Sequence, residues 1–343
     1  MHKNLAFSLT LIAAAACSTS ALADLTVVSH GGANKAAQVA AFYDTYQAQT
    51  GTRIVAGEFN GEMAKVKVMV DTGSVSWDVV EMEMPELARA CEEGLLEEFA
   101  LDPAVAAQLL PGAVQPCGVG FFVWSTVIAY NADKLKVAPT SWDDFWNLEK
   151  FPGKRGLRKG AMYTLEFALL ADGVPAADVY TLLATREGQD RAFAKLDQIK
   201  SSIQWWEAGA QPPQYLASGD VVMSSAYSGR ISAVQSQTPL RIVWNGGIYD
   251  MDAWAIPRGA KKRDEALKFI NHTLKAEQQK GYAEQIAYGP VNREALGLLS
   301  EQRVSELPTG SPNLQGQLPM NASFWADHGE LLEQRFNAWA ARS

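Results

Sequence analysis

The stretch Ile248-Tyr249-Asp250-Met251-Asp252-Ala253-Trp254-Ala255-Ile256-Pro257 constrains this chain more than any other. It is an apolar run carrying two acids and closed by a proline, and it reads as a strand. Side chains alternate across a strand, so Asp250 and Asp252 share a face with Ile248 and Trp254, while Tyr249, Met251 and Ala253 point the other way. Two carboxylates among large apolar groups are costly to bury without a partner. The strand therefore demands something positive beside it: a bound cation, a metal ion, or a basic side chain of the chain itself.

The remaining pattern supplies the scaffold. Leu25–Ser29, Arg53–Glu58 and Trp77–Glu81 are short β-rich runs. They alternate with helical patterns near 33–49, 61–71 and 85–93, the first with Val39, Phe42, Tyr43 and Tyr46 as its apolar stripe. Such alternation predicts a parallel sheet flanked by helices, with ligands at the carboxyl ends of its strands. The loops at 29–32, which holds His30, and at 81–84, which holds Glu83, occupy such ends. A long apolar strand at 121–130 leads into a polar region. A second αβ set then runs through helices near 163–172 and 188–200, strands at 203–206, 221–225 and 241–244, and helices near 264–274, 276–286 and 326–341. With 343 residues, 48% of them hydrophobic, the chain can build two lobes.

Lys3, the apolar run 5–16 and Ala21-Leu22-Ala23 predict a secretory signal over 1–23, with the mature chain beginning at Asp24. Lipid attachment at Cys17 is the lesser alternative, because Ala14 stands where a lipoprotein box carries leucine. Export leaves Cys91 and Cys117, which an oxidising compartment is expected to bridge, two free thiols being the alternative. A formal charge of −8 argues against a nucleic-acid partner and suits a cationic or zwitterionic one.

Nothing in the sequence spells a complete catalytic motif. Asp71-Thr72-Gly73-Ser74 matches an aspartic-protease tetrad but has no second copy, and the four histidines lack metal-ligand spacing. No cofactor or metal is expected. The residues after the strand at 221–225 are more informative. Ser224-Ser225-Ala226-Tyr227-Ser228-Gly229-Arg230 opens a helix predicted at 231–235, placing a forked donor where a carboxylate could be received. Tyr227 and Trp254 could face an ammonium with their rings. An exported hydrolase using Asp250 and Asp252 stays open, as does a salt bridge from Arg230 to either acid.

Trp205-Trp206-Glu207-Ala208-Gly209, Ala226-Tyr227-Ser228-Gly229-Arg230, Tyr249-Asp250-Met251-Asp252-Ala253-Trp254 and Tyr288-Gly289-Pro290-Val291-Asn292 together resemble the periplasmic polyamine-type solute-binding proteins of ABC importers. The resemblance implies an α/β, two-lobed periplasmic binding protein fold (type II) with a ligand cleft at the hinge. It divides the chain into 24–129 plus 251–295 and 130–250 plus 296–343. It also implies a monomer that takes a small-molecule amine in the periplasm and hands it to an ABC permease. Asp252 would take the ammonium between Tyr227 and Tyr288. His30 departs from the family's aromatic first loop, and Lys159 and Tyr163 stand about where acids would meet a diamine's far end. With Arg230, these departures favour an ω-amino acid such as 4-aminobutyrate over putrescine or spermidine. Glu81, Glu83 or Glu166 could still serve a polyamine. An anion or ferric-ion binder of the same architecture is the remaining alternative.

Overall fold

The computed structural model describes residues 24–59 and 61–342; the signal reading over 1–23 and Cys17 lie outside them. Strands β1 (Leu25–Ser29), β2 (Ile54–Glu58) and β3 (Val79–Glu83) are parallel, with β1 in the middle. The short β4 (Val114–Gln115) leads into β5 (Gly118–Asn131). In the second set β6 (Arg155–Arg158) lies parallel to β7 (Ile203–Trp206) and to β8 (Met223–Tyr227). The long β9 (Leu240–Ala255) completes the path β2-β1-β3-β9-β5-β8-β6-β7.

Strands β5 and β9 hold the two sets together. They run antiparallel over 14 and 16 residues, from the pair Gly118–Ala255 to the pair Asn131–Leu240. β9 pairs with β3 at one end, and β5 pairs with β8 at the other. Register breaks at Gly120/Phe122 and Thr126/Ile128 bracket the stretch where the ladder passes from one set to the other. An extra residue in a ladder bends the strand and increases its twist, so the floor of the molecule turns here. The expected strand at 248–257 and the run at 241–244 are thus parts of one strand.

Most predicted helices lie within a few residues of their expected ends. Two differences have local causes. The expected helix at 33–49 is a continuous helical stretch from Gly32 to Thr50 containing a π-turn at Val39–Tyr43. The helix expected at 231–235 begins earlier, at Ser228–Ser232, directly after β8. The last helix, Ala322–Ala340, packs on the helix Met84–Glu92 of the first set and on the second set, where Trp339 meets Phe193 and Trp325 meets the buried Glu166. The bond Cys91–Cys117 ties the helix Met84–Glu92 to the residue just ahead of β5.

Burial pushes the Glu166 carboxyl up to about 8, against the Trp325 indole N–H that it accepts at 2.7 Å. An acid raised in the folded state binds a proton there that the unfolded chain has released, so stability falls as pH rises from about 4.5 to about 8. Glu166→Gln keeps an acceptor for Trp325 without the charge. Its melting temperature is expected to exceed that of the unsubstituted protein by about 3 °C at pH 8.5, for ~2 kcal/mol. The gap should close at pH 5; equal melting curves at both pH values would contradict this account of Glu166.

Candidate functional site

A cavity of about 470 Å³ opens between the two strand sets. Its lining combines the loop and helix start at 30–34, Glu83 at the end of β3, Phe122 and Trp124 of β5, Tyr227 and Arg230 after β8, Asp252 of β9, and Tyr288. The topology explains the meeting: β5 and β9 cross the middle, and the carboxyl ends of β1, β3 and β8 point toward them from either side.

Asp252 is 4% exposed and accepts the Trp124 indole N–H through Oδ1 at 2.7 Å. His30 Nδ1 stands 3.9 Å from its Oδ2. Burial, then the neighbouring acids Glu81 and Glu83, push this carboxyl well above the ordinary range, while the Trp124 N–H opposes them. Ionisation of this carboxyl is therefore disfavoured in the empty site, and a ligand ammonium beside it would favour the charged form.

Glu81 is anchored otherwise. It accepts the His30 amide N–H (3.0 Å), Asn34 Nδ2 (2.7 Å) and Gln38 Nε2 (2.9 Å). Tyr43 donates to Gln38 and Tyr282 donates to Asn34, which fixes the first loop against the floor. His30, Glu81 and Asp252 offer ligand atoms within 4.8 Å of one another. Three N–H donors already use the Glu81 oxygens, which makes Glu81 a brace for the loop.

Aromatic rings line the approach to Asp252. Phe122 and Tyr288 stack at 4.7 Å, 12° from parallel. Trp124 and Tyr227 meet edge to face at 5.4 Å. Gly229 is required here: a Cβ added to it would lie 2.5 Å from the Tyr288 ring. Arg158, half-buried at the end of β6, hydrogen-bonds the Tyr227 hydroxyl and so orients that wall.

Arg230 is exposed at the cavity's other end. Among the described residues no carboxylate lies within 4 Å of its guanidinium, so the internal salt bridge to Asp250 or Asp252 does not form.

The structure brings Asp252, Glu83, His30, Tyr227, Arg230 and Tyr288 together at this cavity. It puts the other three elsewhere. Trp254 is wholly buried, stacked on Phe121 at 4.0 Å, because its end of β9 lies under the helices of the first set. Asp250 borders a separate crevice; its Oδ1 accepts the Met251 N–H, its Oδ2 is buried without a partner, and burial raises it strongly. Tyr163, at φ 70°, is buried edge-on to Trp124 and supports the wall from behind. Lys159 pairs with Glu207 at the surface. Trp124 and Phe122 are the site residues that sequence reasoning missed. Their signal was alternation along the strand at 121–130, which puts 122 and 124 on one face. Only the pairing Phe122–Asp252 shows which face that is.

Known proteins agree with this geometry. A gamma-aminobutyric acid-binding protein of Pseudomonas aeruginosa is 57% identical over 335 residues, spanning 96% of this chain and 95% of that protein. The spermidine/putrescine-binding periplasmic protein of Escherichia coli is 30% identical over 187 residues, 53% of this chain and 51% of that one. Among solved structures, an ABC transporter substrate-binding protein of Bradyrhizobium japonicum superposes with a TM-score of 0.85 at 35% identity, covering 92% of this chain and 99% of the other. A GABA receptor structure superposes at 0.83 and 36% identity, covering 93% and 98%. Both are two-lobed binding proteins, as is this chain, and the hydrolase alternative falls away with them. Residues 41–308 match the bacterial extracellular solute-binding protein model, and the chain belongs to that family.

Proposed function

We propose that this protein captures 4-aminobutyrate or a close ω-amino acid in the periplasm, after removal of residues 1–23, and delivers it to an ABC permease. The observation that carries this reading is the placement of Asp252 and an uncommitted Arg230 in one aromatic-walled cavity. The ligand's ammonium lies against the Asp252 carboxylate, with the faces of Phe122, Trp124, Tyr227 and Tyr288 around it. Its carboxylate meets the Arg230 fork. The 57% identity to a protein named for gamma-aminobutyric acid supports the same ligand class.

The two halves act as lobes, 24–129 with 251–295 and 130–250 with 296–343, hinged where β5 and β9 bend. Closure brings Arg230 toward a ligand already held at Asp252. The ligand drives closure only through its preference for the closed state, a tenfold preference being about 1.4 kcal/mol.

Arg230→Ala is expected to weaken 4-aminobutyrate binding about thirtyfold, for ~2 kcal/mol, in a calorimetric titration. Putrescine, which has no carboxylate, should lose little. Tight putrescine binding to the unsubstituted protein without 4-aminobutyrate binding would reject the amino-acid reading.

A further inference from the structure

The amine end of the cavity holds more carboxylate than a single ammonium needs. Glu83 is the direct partner of Asp252 across the β3–β9 ladder, and directly opposed residues of an antiparallel pair project on the same side, about 5 Å apart. Both line the cavity. One oxygen of Asp252 is taken by the Trp124 indole. The other faces His30 at 3.9 Å, beyond hydrogen-bond reach, and Asp252 also shares a side-chain hydrogen bond with Glu81. Glu83 has no ion pair within 4 Å among the described residues, its nearest positive influences being His30 and Arg158 at longer range. Its side chain is one methylene longer than that of Asp252, so the two carboxylates are offset along the cavity rather than focused on one point. It also caps the nine-residue helix Met84–Glu92 without bonding its N–H groups, which leaves its oxygens for the cavity.

Glu83 thus adds a second carboxylate to the wall that carries Asp252, in the cavity that Phe122 and Tyr288 also line as a flat stack. An ammonium projects three donors from one centre. A guanidinium spreads five donors over a plane, pairs with carboxylates in a fork, and stacks on aromatic faces. We propose that the Asp252–Glu83 pair accepts a guanidinium, and that ω-guanidino acids such as 4-guanidinobutyrate are ligands of this site. The proposal rests on the assignment of Asp252 to the ligand's cation and Arg230 to its carboxylate. Arg230, exposed on an unbranched stem, accommodates the added length by retreating.

Calorimetric titration of the full mature protein with 4-aminobutyrate and 4-guanidinobutyrate separates the two readings. The unsubstituted protein should bind both, with dissociation constants within tenfold of each other. Glu83→Gln should weaken 4-guanidinobutyrate at least tenfold and 4-aminobutyrate less than threefold. Binding of 4-aminobutyrate with no 4-guanidinobutyrate heat up to 1 mM would overturn the guanidinium proposal and leave the amino-acid reading standing. So would equal weakening of both ligands by Glu83→Gln. If neither ligand binds, both readings fail. Should Glu83→Gln not fold, as shown by its melting curve, the titrations of the unsubstituted protein still decide.

Discussion

Asp252→Asn is expected to weaken 4-aminobutyrate binding roughly 10- to 150-fold, for the ~1.5–3 kcal/mol of a charge-assisted hydrogen bond. The substitution is close to isosteric. Asparagine can still accept the Trp124 indole N–H that Asp252 accepts now, so the wall stays in place and the loss reports charge. The same group sets a pH dependence. Its carboxyl is held high by burial and by Glu81 and Glu83. A ligand ammonium needs it ionised, so affinity should decline as pH falls, beginning above the usual carboxylate range, and binding should release protons. Asp252→Asn should lose that slope together with the affinity. A variant that binds as tightly as the parent, or keeps the slope, would remove Asp252 from the amine's partners.

Replacing Cys91 and Cys117 together by alanine is expected to cost about 3.5 kcal/mol of stability. The two cysteines are 26 residues apart, and the chain-entropy estimate for a loop of that length gives this figure. For a chain of this size, that is a fall of about 5 °C in melting temperature. Ligand affinity should change little, because the bond joins the helix Met84–Glu92 to the start of β5, well along the strand from Trp124. Melting of the double variant at the parent's temperature would show that the unfolded chain gains no freedom from losing the link.

Much of this arrangement was legible in the residue order. Asp252, Tyr227, Tyr288 and Arg230 were readable because their chemistry is unusual where they stand: an acid in an apolar strand, and a fork at a helix start. Alternation alone could not tell which part of a strand the molecule covers. It put Asp250, Asp252 and Trp254 in one row, and they are in one row. Yet that row passes from a separate crevice, through the cavity, into the core of the first set within five residues. Trp124 escaped for a related reason. Its role depends on lying beside β9, a partner more than a hundred residues away. Glu81 and Glu83 show the limit again. Both were candidates for a far ammonium, but one is consumed by Asn34, Gln38 and the His30 amide, which no local pattern reveals.

The bend in β5 and β9 has a consequence for how selectivity is divided. Asp252 and Trp124 sit on neighbouring strands there, bonded to each other, so the proposed swing of one half would leave their grip on a cation unaltered. In that proposal Arg230 rides on the moving arm. Recognition of the charged head would then be settled before any motion, and the arc travelled by the arm would measure how long the rest of the ligand is.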